Sequence, residues 1–198
     1  MSAGRRLPLS TVLVAALLAI AIGALGAGLL FGWGDDDERA DVADLDNAVA
    51  PPSLDQPVRD TVGDEAPTTP YQTFDGGEAS VADYRGRPLV VNFFASWCVP
   101  CVREMPAFER VHQDVGERVA FLGIDVRDSK TEGERRIDES GVTYDVGRDP
   151  SGSLLAQFGG AAMPTTVLVD ADGTIVRLLS GETSGDELRE AIDEAFPE

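Results

Sequence analysis

Histidine and cysteine are almost missing from this chain of 198 residues, which has one histidine, His112, and two cysteines, Cys98 and Cys101. A structural zinc takes four ligands, commonly as two paired groups. One CxxC and one histidine do not make such a set, so no metal is expected, and His112 reads as a partly exposed residue on a helix. Positive charge is also scarce. Sixteen Lys and Arg stand against 35 Asp and Glu, a formal net charge of −19, and Lys130 is the only lysine. Nucleic acid is therefore not an expected partner, because binding its phosphates takes clustered Lys and Arg. No internal repeat is visible. Hydrophobic residues, at 43%, suffice for one core of ordinary size with further segments attached.

The N-terminal segment is not part of that core. Arg5 and Arg6 precede an uncharged run from Leu7 to Gly34, whose centre reads "VLVAALLAIAIGALGAGLLF". About 20 apolar residues cross a bilayer, whereas a cleaved signal peptide has an apolar region of roughly 7–15. Residues 1–34 thus read as an uncleaved single-pass anchor. Cleavage, with secretion of the remainder, is the alternative that Gly23, Gly26, Gly28 and Gly32 leave open. The span holds no cysteine, which excludes a lipoprotein anchor. Arginines before it and "DDDE" after it put the rest of the chain outside the cytoplasm. Residues 35–62 read as an acidic, flexible linker. Eleven acids lie between positions 35 and 65 against Arg39 and Arg59, and like charges extend a segment that has little to bury.

The folded domain takes residues 63–198. "LVVNFF" (89–94) and "VAFLGIDV" (119–126) read as buried strands, apolar on both faces. Between them a helix is predicted from Pro100 to about Asp114, kinked by Pro106. A polar helix at 131–140 ends at Gly141, a short strand follows at 143–146 and a short helix at 151–158. "TTVLVD" and "TIVRLLS" form a hairpin through "DADG", and residues 184–196 form a closing amphipathic helix with Ser184 as N-cap. The order β-α-β-α-β-α-β-β-α predicts an α/β domain: a mixed sheet, helices on both faces, an antiparallel hairpin at one end.

"SWCVPC" (96–101) carries both cysteines. As a structural staple the pair would close a very small loop, and loop-closure stabilisation grows with loop length. The redox reading fits the local physics better. The pair sits between a buried strand and a helix N-terminus, where free N–H groups and the helix dipole stabilise a thiolate, the species that attacks disulfides. Cys98, at the tip, is expected to be the exposed nucleophile and Cys101, one turn in, the resolving thiol. Pro100 suits the first turn. Trp97 offers an apolar platform to substrate, or simply packs. Positions 101, 104, 108, 111 and 115 share one helical stripe, Cys101, Glu104, Phe108, Val111 and Val115. Glu104 is thereby aimed inward beside Cys101. Burial raises a carboxyl pKa, and such a group can move protons to and from Cys101. The plain alternative is that Glu104 lies at the edge of the stripe and reaches water. Pro164, in "AAMPTT", precedes a strand; base rates for X–Pro bonds favour trans.

"VVNFFASWCVPCVREMPAF" followed by "MPTTVLVDADGTIV" resembles the thioredoxin superfamily, and more closely its TlpA/ResA-like branch of membrane-anchored extracytoplasmic thiol-disulfide oxidoreductases. "GDEAP" at the domain start, "REMP" after the CxxC and a helix-containing insert at 127–150 belong to the likeness. The resemblance implies a thioredoxin fold, with Cys98 attacking and Cys101 resolving. It implies that Pro164 is cis and abuts the disulfide, leaving the Met163 backbone free to pair with an incoming peptide. Glu104 matches the acid that ResA-like proteins place after their second cysteine. Cytoplasmic thioredoxins carry a buried Asp where this chain has Asn92, so proton handling passes to Glu104 or water. Ala95 stands where a peroxiredoxin would carry Thr.

The expected function is reduction of disulfides in exported proteins, apocytochrome c among them, with electrons from a membrane thiol donor. The expected cofactor is none beyond the Cys98–Cys101 disulfide, and a monomer is expected because a stable intermolecular disulfide would consume the site. Two alternatives stay open: an oxidase or isomerase running the same chemistry backwards, and a binding module that uses the Met163–Pro164 groove.

Overall fold

A computed structural model describes residues 60–197 of the protein. The expected anchor at 1–34 and nearly all of the linker at 35–62 lie outside the described residues. Among the described residues no helix is long and apolar enough to cross a membrane.

The two apolar runs form the centre of the sheet. β3 (Leu89–Phe94) and β4 (Ala120–Val126) are buried at every position and pair in parallel. Such continuous burial is what strands covered on both faces require. β5 (Asp145–Asp149) continues in parallel beside β4, while β6 (Thr165–Val169) and β7 (Ile175–Ser180) complete the other side antiparallel. Two strands precede these, β1 (Tyr71–Thr73) and β2 (Glu78–Ala79), which make the sheet seven-stranded in the order β2-β1-β5-β4-β3-β6-β7. The expected element order lacks this pair. At three and two residues they are too short to show an alternating pattern, and their pairing comes from the turn that joins them. β5 also begins two residues later than the predicted 143–146, because Tyr144 buries its ring before the ladder starts.

Period-two alternation divides the strands between two cores. Val90 and Phe94 of β3 join Phe121, Leu168 and the buried faces of α1 (Val99–Val115) and α4 (Gly185–Ala195). Leu89, Val91 and Phe93 join Leu122, Ile124 and Val126 on the opposite face, beneath Leu154 and Leu155 of α3 (Ser153–Gln157) and Phe158. Fully burying one large apolar side chain contributes about 1.5–3 kcal/mol, so these two layers hold the sheet rigid around the end of β3. The remaining helix, α2 (Lys130–Ser140), is capped by Ser129 and stopped by Gly141 at φ 71°, a conformation that suits glycine. α1 continues through Pro106 as one helix, with the proline on its exposed side.

Candidate active site

β3 ends at Phe94, and the turn after it delivers Cys98 to the start of α1 as the N-cap residue. The Cys98 side chain folds over the helix end, and its Sγ accepts the Cys101 backbone N–H at 3.3 Å. Cys98 and Cys101 form a disulfide, with Cα atoms 5.3 Å apart. Cys101 is fully buried. Cys98 is 6% exposed, so it is the more accessible sulfur but not the exposed tip expected from its position. Its capping geometry is the reason: a side chain turned back onto the helix N-terminus is covered by that helix. The residues that stand out are its neighbours, Trp97 at 59% and Val99 at 63% exposure. Trp97 and Val99, the latter of which drew no attention in the sequence, are thus exposed apolar side chains on either side of Cys98 in the chain.

Glu104 lies on the buried stripe of α1, one turn beyond Cys101, and is 2% exposed. It does not reach water. Oε1 accepts from Asn92 Nδ2 at 2.9 Å and Oε2 accepts from the Thr183 backbone N–H at 3.0 Å. Desolvation pushes the Glu104 pKa up to about 7, against the two hydrogen bonds, which favour the charged form. A group poised there can exchange a proton near neutrality. Asn92, noticed in the sequence only as a departure, is the donor that holds this carboxyl; its Nδ2 also lies 3.1 Å from Thr166 Oγ1. Thr183 gave no signal at all, since its contribution is a backbone N–H from 79 residues away.

The Met163–Pro164 peptide bond is cis, as the resemblance implied. Pro164 is buried at the head of β6, and Met163 is half-buried, packed against the core cluster that contains both cysteines. On the rim, Arg103 forms a two-pronged ion pair with Glu182, so its charge is already engaged. A third acid enters from the loop after β4. Asp128 accepts from Ser96 N at 2.5 Å and from Ser96 Oγ at 2.9 Å, which ties that loop to the turn before Cys98. His112 is half-buried against the rings of Phe121 and Tyr144, away from the disulfide.

Comparison with known proteins adds three kinds of likeness. The model of the AhpC/TSA family matches residues 62–178. The thiol-disulfide oxidoreductase ResA of Geobacillus thermodenitrificans is 29% identical over 139 residues, 69% of this chain and 79% of that protein. A putative protein disulfide isomerase from Bacteroides thetaiotaomicron superposes with a TM-score of 0.60 at 30% identity, covering 69% of this chain and 91% of the other. The structure of MTB DsbF in its mixed oxidized and reduced forms gives a TM-score of 0.60 at 26% identity, over 65% of this chain and 95% of that one.

Proposed function

The chain belongs to the AhpC/TSA family of the thioredoxin superfamily and is a thiol-disulfide oxidoreductase; from that premise we propose that it is a membrane-tethered reductant of protein disulfides acting outside the cytoplasm. The observation that carries the direction is the buried carboxyl of Glu104 behind the disulfide. A disulfide is strongly oxidising when its reduced form is stabilised as a thiolate. An acid that ionises near neutrality one turn from Cys101 opposes a second negative charge there. Asp128, bonded to the loop before Cys98, adds to the same effect. The helix N-terminus acts the other way, and the hydrogen bond from Cys101 N to Cys98 Sγ is the observation that favours an oxidase.

The chemistry runs as follows. The Cys98 thiolate attacks one sulfur of the substrate disulfide, forming a mixed disulfide and releasing the other sulfur as a thiolate. Cys101 loses its proton to Glu104 and attacks Cys98 Sγ, which re-forms the internal disulfide and frees the second substrate thiolate. Two electrons pass to the substrate, and each released thiolate takes up a proton. A dithiol donor of the membrane restores the cycle by the same exchange. Trp97 and the Met163–Pro164 segment bind the substrate polypeptide, whose class is exported protein, apocytochrome c included. The segment 1–34 holds the monomer at the membrane.

Insulin-disulfide reduction by the full chain tests the roles of the thiols. Cys98→Ser is expected to abolish it; retention of full activity contradicts the mechanism.

A further inference from the structure

Asp125 is a buried acid for which the thiol chemistry above has no use. Alternation along β4 sends Leu122, Ile124 and Val126 into one core and turns Asp125 to the side of α1 and α2, with Phe121. Asp125 is 1% exposed, and neither of its carboxylate oxygens has a hydrogen-bond donor among the described residues. The site is closed on every side. Phe94 of β3 and Arg148 of β5 lie across from it in register. α2 approaches so near that a Cβ on Gly133 would stand 2.2 Å from Asp125 Oδ2 and 2.9 Å from the Phe74 ring. A bare carboxylate is strongly disfavoured in such a place.

Once protonated, Asp125 does have a bond to make. Asp128 follows three residues on, its backbone carbonyl held by the same Arg148 that lies across from Asp125; desolvation first, then a hydrogen bond to Asp128 and the Asp128 charge, favour the neutral form of Asp125 and push its pKa up to about 8. Arg148 opposes this weakly. Two arms of its guanidinium are directed elsewhere, Nη2 to the Asp128 backbone carbonyl at 3.2 Å and Nη1 to Gln72 at 3.2 Å, and the group lies over the Phe74 ring at 5.7 Å, while its buried Nε has no partner among the described residues. Asp128 meanwhile receives both hydrogen bonds from Ser96, two residues before Cys98.

We propose that Asp125 and Asp128 form a hydrogen-bonded carboxyl pair sharing one proton, and that this pair positions the Ser96–Cys98 turn, which makes Asp125 a positioning residue for the thiol-disulfide reaction. With the proton in place the pair carries one charge, and Asp128 keeps both bonds to Ser96. Without it, two carboxylates face each other in a dry site. Asp128, on a loop, is the one able to move, and it moves by releasing Ser96. The turn that carries Trp97 and Cys98 then loses its anchor.

Trp97 reports the turn, because a nearby disulfide quenches indole emission. The experiment uses the oxidised full chain in mild detergent with Trp33→Phe, so that Trp97 is the sole tryptophan. Emission is followed from about pH 5.5 to about pH 9.5. An inflection near pH 8 is expected. Asp125→Asn, neutral at every pH, removes it, and Glu104→Gln leaves it. Asp128→Asn removes it too, because no second carboxylate is left to repel Asp125 and release Ser96; this variant also decides the matter if Asp125→Asn does not fold. A flat profile in the Trp33→Phe chain, an inflection that survives Asp125→Asn, or one that Asp128→Asn leaves in place overturns the proposal. The inference rests on Cys98 as the attacking thiol, so the first cysteine alkylated in the reduced chain is mapped in parallel. Alkylation of Cys101 first overturns that reading and the pair's link to reactivity with it. Alkylation of Cys98 first, without an Asp125-dependent inflection, overturns the pair alone.

Discussion

Replacing Glu104 by Gln removes one ionisable group at a site that water does not reach. In the folded protein its pKa stands at about 7, against an ordinary value of 4.5. Between those values the folded chain holds a proton that the unfolded chain has lost. Stability from this group is therefore complete below pH 4.5 and is lost as pH rises through about 7. At roughly 1.4 kcal/mol per tenfold change in the proton equilibrium, the total is about 3 kcal/mol, and about 2.5 kcal/mol of it falls between about pH 5 and about pH 8. Asp125 contributes a loss of the same sign, but it is present in both proteins and cancels in their difference. Urea unfolding of the oxidised wild type and Glu104→Gln, at both pH values, measures that difference. Relative to wild type, the variant should gain about 2.5 kcal/mol on going from about pH 5 to about pH 8. An equal stability difference at the two pH values refutes the reasoning, since it means that Glu104 does not titrate in this window.

Other outcomes follow from the same geometry. Cys101→Ser should leave Cys98 able to attack but unable to be released, so mixed disulfides with substrate accumulate and are seen on non-reducing gels. Asn92→Leu removes a donor that favours the charged form of Glu104, so the Glu104 pKa should rise further and the fall in stability should move to higher pH in the same urea series.

The centre of the fold is legible in the sequence because its signals are local. "LVVNFF" and the apolar positions of "AFLGIDV" declare strands covered on both faces, and the stripe through Cys101, Glu104, Phe108, Val111 and Val115 declares the buried side of α1. That stripe also places Glu104 correctly. What holds Glu104 is not legible, because Asn92 and Thr183 come from another strand and from a loop far along the chain. The burial of Cys98 escapes as well. Sequence puts the residue at a helix start, but only the capping geometry turns its sulfur back onto the helix. β1 and β2 are invisible for want of length. The tie from Asp128 to Ser96 crosses from one strand end to another, and no spacing in "DVRDS" announces it.

The central claim is that Cys98 and Cys101 are a redox couple poised to reduce. The most direct test is the reduction potential of the full chain at about pH 7, measured against a dithiothreitol or glutathione series. The account predicts a value near that of thioredoxin, about −270 mV, which calls for a dedicated electron supply across the membrane. A value toward about −120 mV, as in a strong oxidant with a stabilised thiolate, would contradict it and make the protein a source of disulfides instead.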